Sequence, residues 1–139
     1  MNVVIEFIPH NQQRYDTLGD WRFVQQGNKK VLLISISKMK DRRSELAVAV
    51  HELVESLLCA EANITPEMVD EWDFNYPKGE EPGDDIRAPY HVEHVIASRI
   101  EKEICHSTGL LLTEHELNCA QAESLAPQPA VAPQLAKGY

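Results

Sequence analysis

At 139 residues, with 22 acidic against 13 basic side chains and a formal charge of −9, the chain suits one hydrophobic core rather than two. It carries no basic footprint for nucleic acid or an anionic membrane. Three cysteines without C-x-x-C spacing or a secretory signal read as reduced thiols, and no apolar run nears the ~20 residues that span a bilayer, so a soluble, cytoplasmic protein is expected.

Residues 3–8, Val-Val-Ile-Glu-Phe-Ile, are rich in β-branched side chains and stop at Pro9, which predicts a strand. Two more strands are expected at 21–24 and 31–36, joined as a hairpin because Gly27-Asn28 tolerates positive φ. Ser35 and Ser37 alternate with Ile34 and Ile36, leaving one apolar face for a helix to cover. Asp41 or Ser44 can cap that helix, on which Leu46, Ala47, Val50, Leu53, Val54, Leu57 and Leu58 span an arc of roughly 140° and read as the core face. Asn63 is a plausible stop, and Thr65-Pro66-Glu67 opens a short helical segment through Trp72. Asp70, Glu71 and Asp73, interleaved with Trp72, Phe74 and Tyr76, read as an acidic aromatic loop over the core or as a substrate rim. Residues 77–88 form a Pro/Gly/Asp-rich loop. Pro89 introduces a second amphipathic helix on Val92, Val95, Ile96, Ile100 and Ile104, closed by Gly109. Thr113 with Glu116 suggests a capping box for a last short helix. The expected organisation is one α+β domain over 1–112, a short helix over 113–125 and a mobile Pro/Ala/Gln-rich tail over 126–139. Its core is expected to be a small antiparallel sheet of about three strands packed against two main helices.

The chemistry concentrates in the string His51-Glu52-Leu53-Val54-Glu55. A helix turns ~100° per residue, so His51 and Glu55 lie within ~40° of each other, while Glu52 stands roughly 100° from His51. One cation can therefore bridge His51 and Glu55. Val48 and Cys59 flank them where charged residues would be expected on a solvated face, so another element should cover this side. A carboxylate buried there must be paired, protonated or coordinating. The second helix offers further ligands, His91 and His94, ~60° apart on a stripe shared with Ser98 and Cys105. His51 and Glu55 with one or both of these histidines can surround one divalent cation. His10, His106 and His115 read as surface residues.

A small sheet, a helix bearing His-Glu and a later helix supplying the final ligand resemble compact zincin-type metallopeptidases, and residues 1–108 look like a minimal version. In the gluzincin branch the later helix gives a glutamate to an H-E-x-x-H pair. This chain resembles that layout with ligand types exchanged: Glu55 takes the second-histidine position, and His91 or His94 the glutamate position. The resemblance implies zinc on His51 and Glu55, with Glu52 polarising the attacking water. The strings H-E-L-V-E and P-Y-H-V-E-H are also similar to small uncharacterised proteins of phages and prophages.

The leading expectation is a zinc-dependent hydrolase acting on a peptide or protein, with metal on His51, Glu55 and His94, and His91 as alternative or fourth ligand. Glu52 would be the general base and Tyr90 an oxyanion stabiliser. The competing expectation is a non-catalytic, metal-stabilised domain that acts through protein contacts, favoured if all four ligands saturate the ion. A metal-free interaction protein is the third.

Overall fold

The computed structural model describes residues 1–125, and the tail expected over 126–139 lies outside them. Strands β1 (Asn2–Ile8), β2 (Gly19–Gln26) and β3 (Lys29–Ser37) are followed by helices α1 (Arg42–Glu61), α2 (Pro66–Phe74), α3 (His91–Ser107) and α4 (Leu112–Leu125). Short 3-10 turns lie at His10–Gln12 and Pro82–Asp84. The α+β class is as expected.

The sheet order is β1-β3-β2, with β2 antiparallel and β1 parallel to β3. The sheet is thus mixed, not wholly antiparallel. The expected hairpin forms across Gly27, whose φ of 60° suits glycine. The chain reverses between β1 and β2 and again between β2 and β3, so β1 and β3 run the same way. Once β1 pairs with β3 instead of its sequence neighbour, parallel pairing is unavoidable. Periodicity located the strands but carries no information about which neighbour each one chooses.

The central strand supplies the core. Leu32, Ile34 and Ile36 are fully buried and pack with Trp21 of β2 and Val48 and Ala49 of α1. Each such aliphatic side chain contributes about 1.5–3 kcal/mol of transfer free energy. Helix α1 lies on β2 and β3, and α3 packs mainly along α1, so the second main helix does not share the sheet as expected. Asp41, not Ser44, caps α1, its carboxylate accepting from Arg43 N at 2.9 Å. Thr65 caps α2 by accepting from Met68 N. Helix α4 starts at Leu112, which places Thr113 inside the helix and not at its cap.

Helix α1 is oriented differently from the expected core face. Its buried residues include Ser44, Val48, His51, Glu52, Glu55, Ser56 and Cys59, whereas Leu46 and Leu57 are 47% and 40% exposed. Covered by the sheet on one side and α3 on the other, α1 turns a polar stripe inward. Such burial is affordable only where each polar group finds a partner. No helix among the described residues is long and apolar enough to cross a membrane.

Candidate metal centre

One turn of α1 separates His51 from Glu55, and the two side chains meet as the wheel requires: His51 Nε2 lies 3.1 Å from Glu55 Oε2. From α3, His94 Nδ1 approaches the same oxygen at 2.9 Å. The two imidazole rings stand nearly edge to face, with centroids 4.9 Å apart. One ligand atom from each of the three residues lies within 4.8 Å of the others. Tetrahedral zinc, with bonds of about 2.0–2.1 Å, holds its donors roughly 3.3 Å apart. The donors are thus already gathered near coordination spacing, and this buried His51–Glu55–His94 group could hold a metal ion.

The groups behind the donors match that use. Glu55 Oε1 accepts from Trp21 Nε1 at 3.2 Å, leaving Oε2 for the imidazoles. His51 Nδ1 lies 2.7 Å from Glu101 Oε1, a close ionic contact set off the N–H axis. His94 Nε2 meets Asp84 Oδ1 at 3.1 Å, with Glu81 Oε1 at 4.0 Å. Each imidazole therefore carries a carboxylate on the nitrogen turned away from Glu55, the arrangement that orients metal-binding histidines and strengthens them as donors. Two glycines make room for this. A Cβ at Gly19 would fall 2.7 Å from Glu52 Oε1, and one at Gly83 would run into the His94 ring.

The charge states follow from these contacts. Burial opposes the His51 imidazolium, but the close carboxylate of Glu101 and the bond to Glu55 prevail and push its pKa up to about 11. Burial would likewise raise Glu55, yet His51 and His94 hold it down to about 2. His94 is raised despite burial, through its bond to Glu55. Glu52 behaves oppositely: burial, then the charge of Glu55, push it well above the ordinary carboxylate range. Without metal, the donors are held together by protons on the imidazoles. A dication can take the place of those protons.

The group lies in the wall of a cleft of about 810 Å³, whose lining includes Trp21, Glu52, Asp73, Tyr90 and Glu101. Tyr90 is there as expected, but its hydroxyl donates to Asp73 Oδ1, and its ring stands edge-on to His94 with centroids 6.0 Å apart. Tyr15 donates to the other Asp73 oxygen at 3.3 Å. Burial, opposed by the Tyr90 bond, pushes Asp73 up to about 7.

Of the four expected ligands, the structure brings together His51, Glu55 and His94. His91 is not among them: its Nδ1 bonds the Gly83 carbonyl at 2.9 Å. As the first residue of α3, it points back to the preceding turn while His94, one turn on, faces α1. His106 is exposed as expected, but His10 and His115 are buried, at 2% and 5% exposure. His10 sits between Ser37 Oγ at 2.9 Å and Asp16 Oδ1 at 2.8 Å, and His115 between Ser44 Oγ at 2.9 Å and Glu101 Oε2 at 2.6 Å. Trp21, Asp84 and Glu101 escaped the sequence reading. Only Glu101 left a signal there, since it lies seven residues after His94 on the same helical stripe as Ser98.

No family model, curated protein or solved structure matches the chain. The functional reading rests on the site itself.

Proposed function

We propose that the protein is a zinc-dependent hydrolase in which His51, Glu55 and His94 bind the ion and Glu52 acts as general base. Two imidazoles and one carboxylate are a donor set that suits zinc and leaves a position for water, the pattern of catalytic sites. The observation that carries the reading is Glu52: a buried carboxylate outside the donor set, lining the same cleft, with Oε2 3.8 Å from His51 Nε2. Burial and the charge of Glu55 raise its pKa, which makes it a stronger proton acceptor than an ordinary glutamate.

A peptide is the favoured substrate class. Gly19, Asp20 and Trp21 of edge strand β2 line the cleft, so an extended segment added to that edge would run past the donors. The carboxylates of Asp73, Glu81 and Glu101 in the same cleft disfavour phosphate-bearing substrates. A cytoplasmic setting suits the three free thiols.

Purified full-length protein should carry about one zinc per chain and cleave a mixed peptide library. Glu52→Gln should keep the zinc and lose the cleavage, and full activity in that variant would remove the base assignment. A metal-stabilised domain acting through protein contacts is the second reading, favoured by the burial of all three donors. It predicts zinc-dependent stability with no cleavage by the wild-type chain.

A further inference from the structure

A chain of polar groups connects α4 to the donors on α1. Glu101 of α3 touches two imidazoles at once: Oε1 lies 2.7 Å from His51 Nδ1, and Oε2 lies 2.6 Å from His115 Nε2. Beyond His115, Nδ1 meets Ser44 Oγ at 2.9 Å, and Ser44 accepts from Asn118 Nδ2 at 2.9 Å. Ser44, His115 and Asn118 are all buried. Serine, histidine and glutamate in a row have the composition of a nucleophilic triad. Here Ser44 is fully covered and has two partners, so it has no access to a substrate.

From Asn118 to Glu101 the hydrogen-bond roles run in one direction. A carboxylate only accepts, so His115 presents its Nε2 proton to Glu101, and in the neutral imidazole this leaves Nδ1 to accept from the Ser44 hydroxyl. With Oε2 taken in this way, Glu101 cannot rotate freely, and Oε1 stays at His51 Nδ1. His51 is thereby directed to present Nε2, the nitrogen 3.1 Å from Glu55 Oε2, to the donor group.

We propose that Glu101 is the positioning residue of the metal ligand His51, and that His115, anchored by Ser44 and Asn118, fixes Glu101. Helix α4 is then part of the metal centre's support and not a terminal appendage. This rests on the metal-binding reading above. It adds that affinity for the ion depends on residues that never touch it.

The test is zinc affinity of the full-length chain, by competition with a chromogenic chelator, alongside thermal unfolding of the metal-free proteins. Glu101→Gln keeps side-chain volume and should weaken zinc ten- to a hundredfold. His115→Ala should weaken it by a smaller factor. The double variant should be no worse than Glu101→Gln alone, because His115 acts through Glu101. Cobalt-substituted Glu101→Gln should show a shifted visible absorption, which a general loss of stability would not produce. Variants that are less stable but bind zinc like the wild type overturn the proposal, as do losses that simply add. A wild-type chain that takes up no zinc overturns the metal reading and this proposal together, whereas a zinc-binding wild type with unaffected variants overturns this proposal alone.

Discussion

Two of the buried histidine–carboxylate groups, those around His10 and around Glu55, are unlike. Around His10, one imidazole meets one carboxylate, Asp16, and the hydroxyl of Ser37, which also accepts from Gln13. The group ties the turn after β1 to the end of β3. Around Glu55, two imidazoles face one carboxylate, and Glu52, Glu81, Asp84 and Glu101 crowd the same space. The first set is closed on its own partners and fastens the fold. The second gathers five carboxylates around His51 and His94, one of them, Glu101, shared with His115, and it opens on a cleft. A surplus of carboxylates around a gathered donor set is what invites a cation.

The sharpest way to break this contrast is to remove a donor. His51→Ala and His94→Ala should each lower zinc affinity by at least a hundredfold in the chelator competition, while His10→Ala should leave affinity within a fewfold and cost about 1–3 kcal/mol in urea unfolding, through the unmet Asp16 and Ser37 groups. Equal effects at the two clusters would dissolve the distinction. Next in size, zinc affinity should rise with pH between 6 and 8, by up to tenfold per unit for each proton displaced, because both imidazoles have raised pKa values and must release protons to bind. Calorimetry in buffers of different ionisation enthalpy counts those protons, and a pH-independent affinity would contradict the charge assignment.

A smaller effect concerns the metal-free fold. The folded pKa of His51, about 11, lies above its unfolded value of about 6.5, so the folded state retains a proton that the unfolded chain releases. That contribution is fully present below pH ~6.5 and is lost as pH rises through the folded value, by at most about 1.4 kcal/mol per pH unit. Urea unfolding of chelator-treated protein from pH 6.5 to 9 should therefore show falling stability, and the slope should flatten in His51→Gln. As a cross-check on the donor assignment, zinc at a hundred times the wild-type dissociation constant should add about 2.7 kcal/mol to the wild type and far less to the His94→Ala variant.

Much of this was readable from residue order. Strand-forming runs marked β1 and β3, and the spacing of His51 to Glu55 placed both on one flank of a helix. What escaped involves relations between elements. A wheel gives the angle of a residue on its own helix but not the neighbour at that angle, so Leu46 and Leu57 looked like core while Ser44 and Ser56 are the residues covered. The same limit left His91 and His94 indistinguishable: they lie ~60° apart, and only the approach of α3 to α1 selects His94. His10 and His115 were misplaced because a lone polar residue carries no sign of a distant partner, here Asp16 and Glu101. Mixed strand pairing was hidden for a related reason, since alternation is the same in parallel and antiparallel neighbours.

The bond from Trp21 to Glu55 also gives the molecule an optical readout. The indole N–H touches one oxygen of the carboxylate whose other oxygen faces both imidazoles, whereas the second tryptophan, Trp72, donates to the Pro82 carbonyl. Any change of charge at Glu55 is therefore felt directly by a natural fluorophore. In a Trp72→Phe background the emission of Trp21 should change if zinc is added and binds at Glu55, which makes it a label-free test of occupancy.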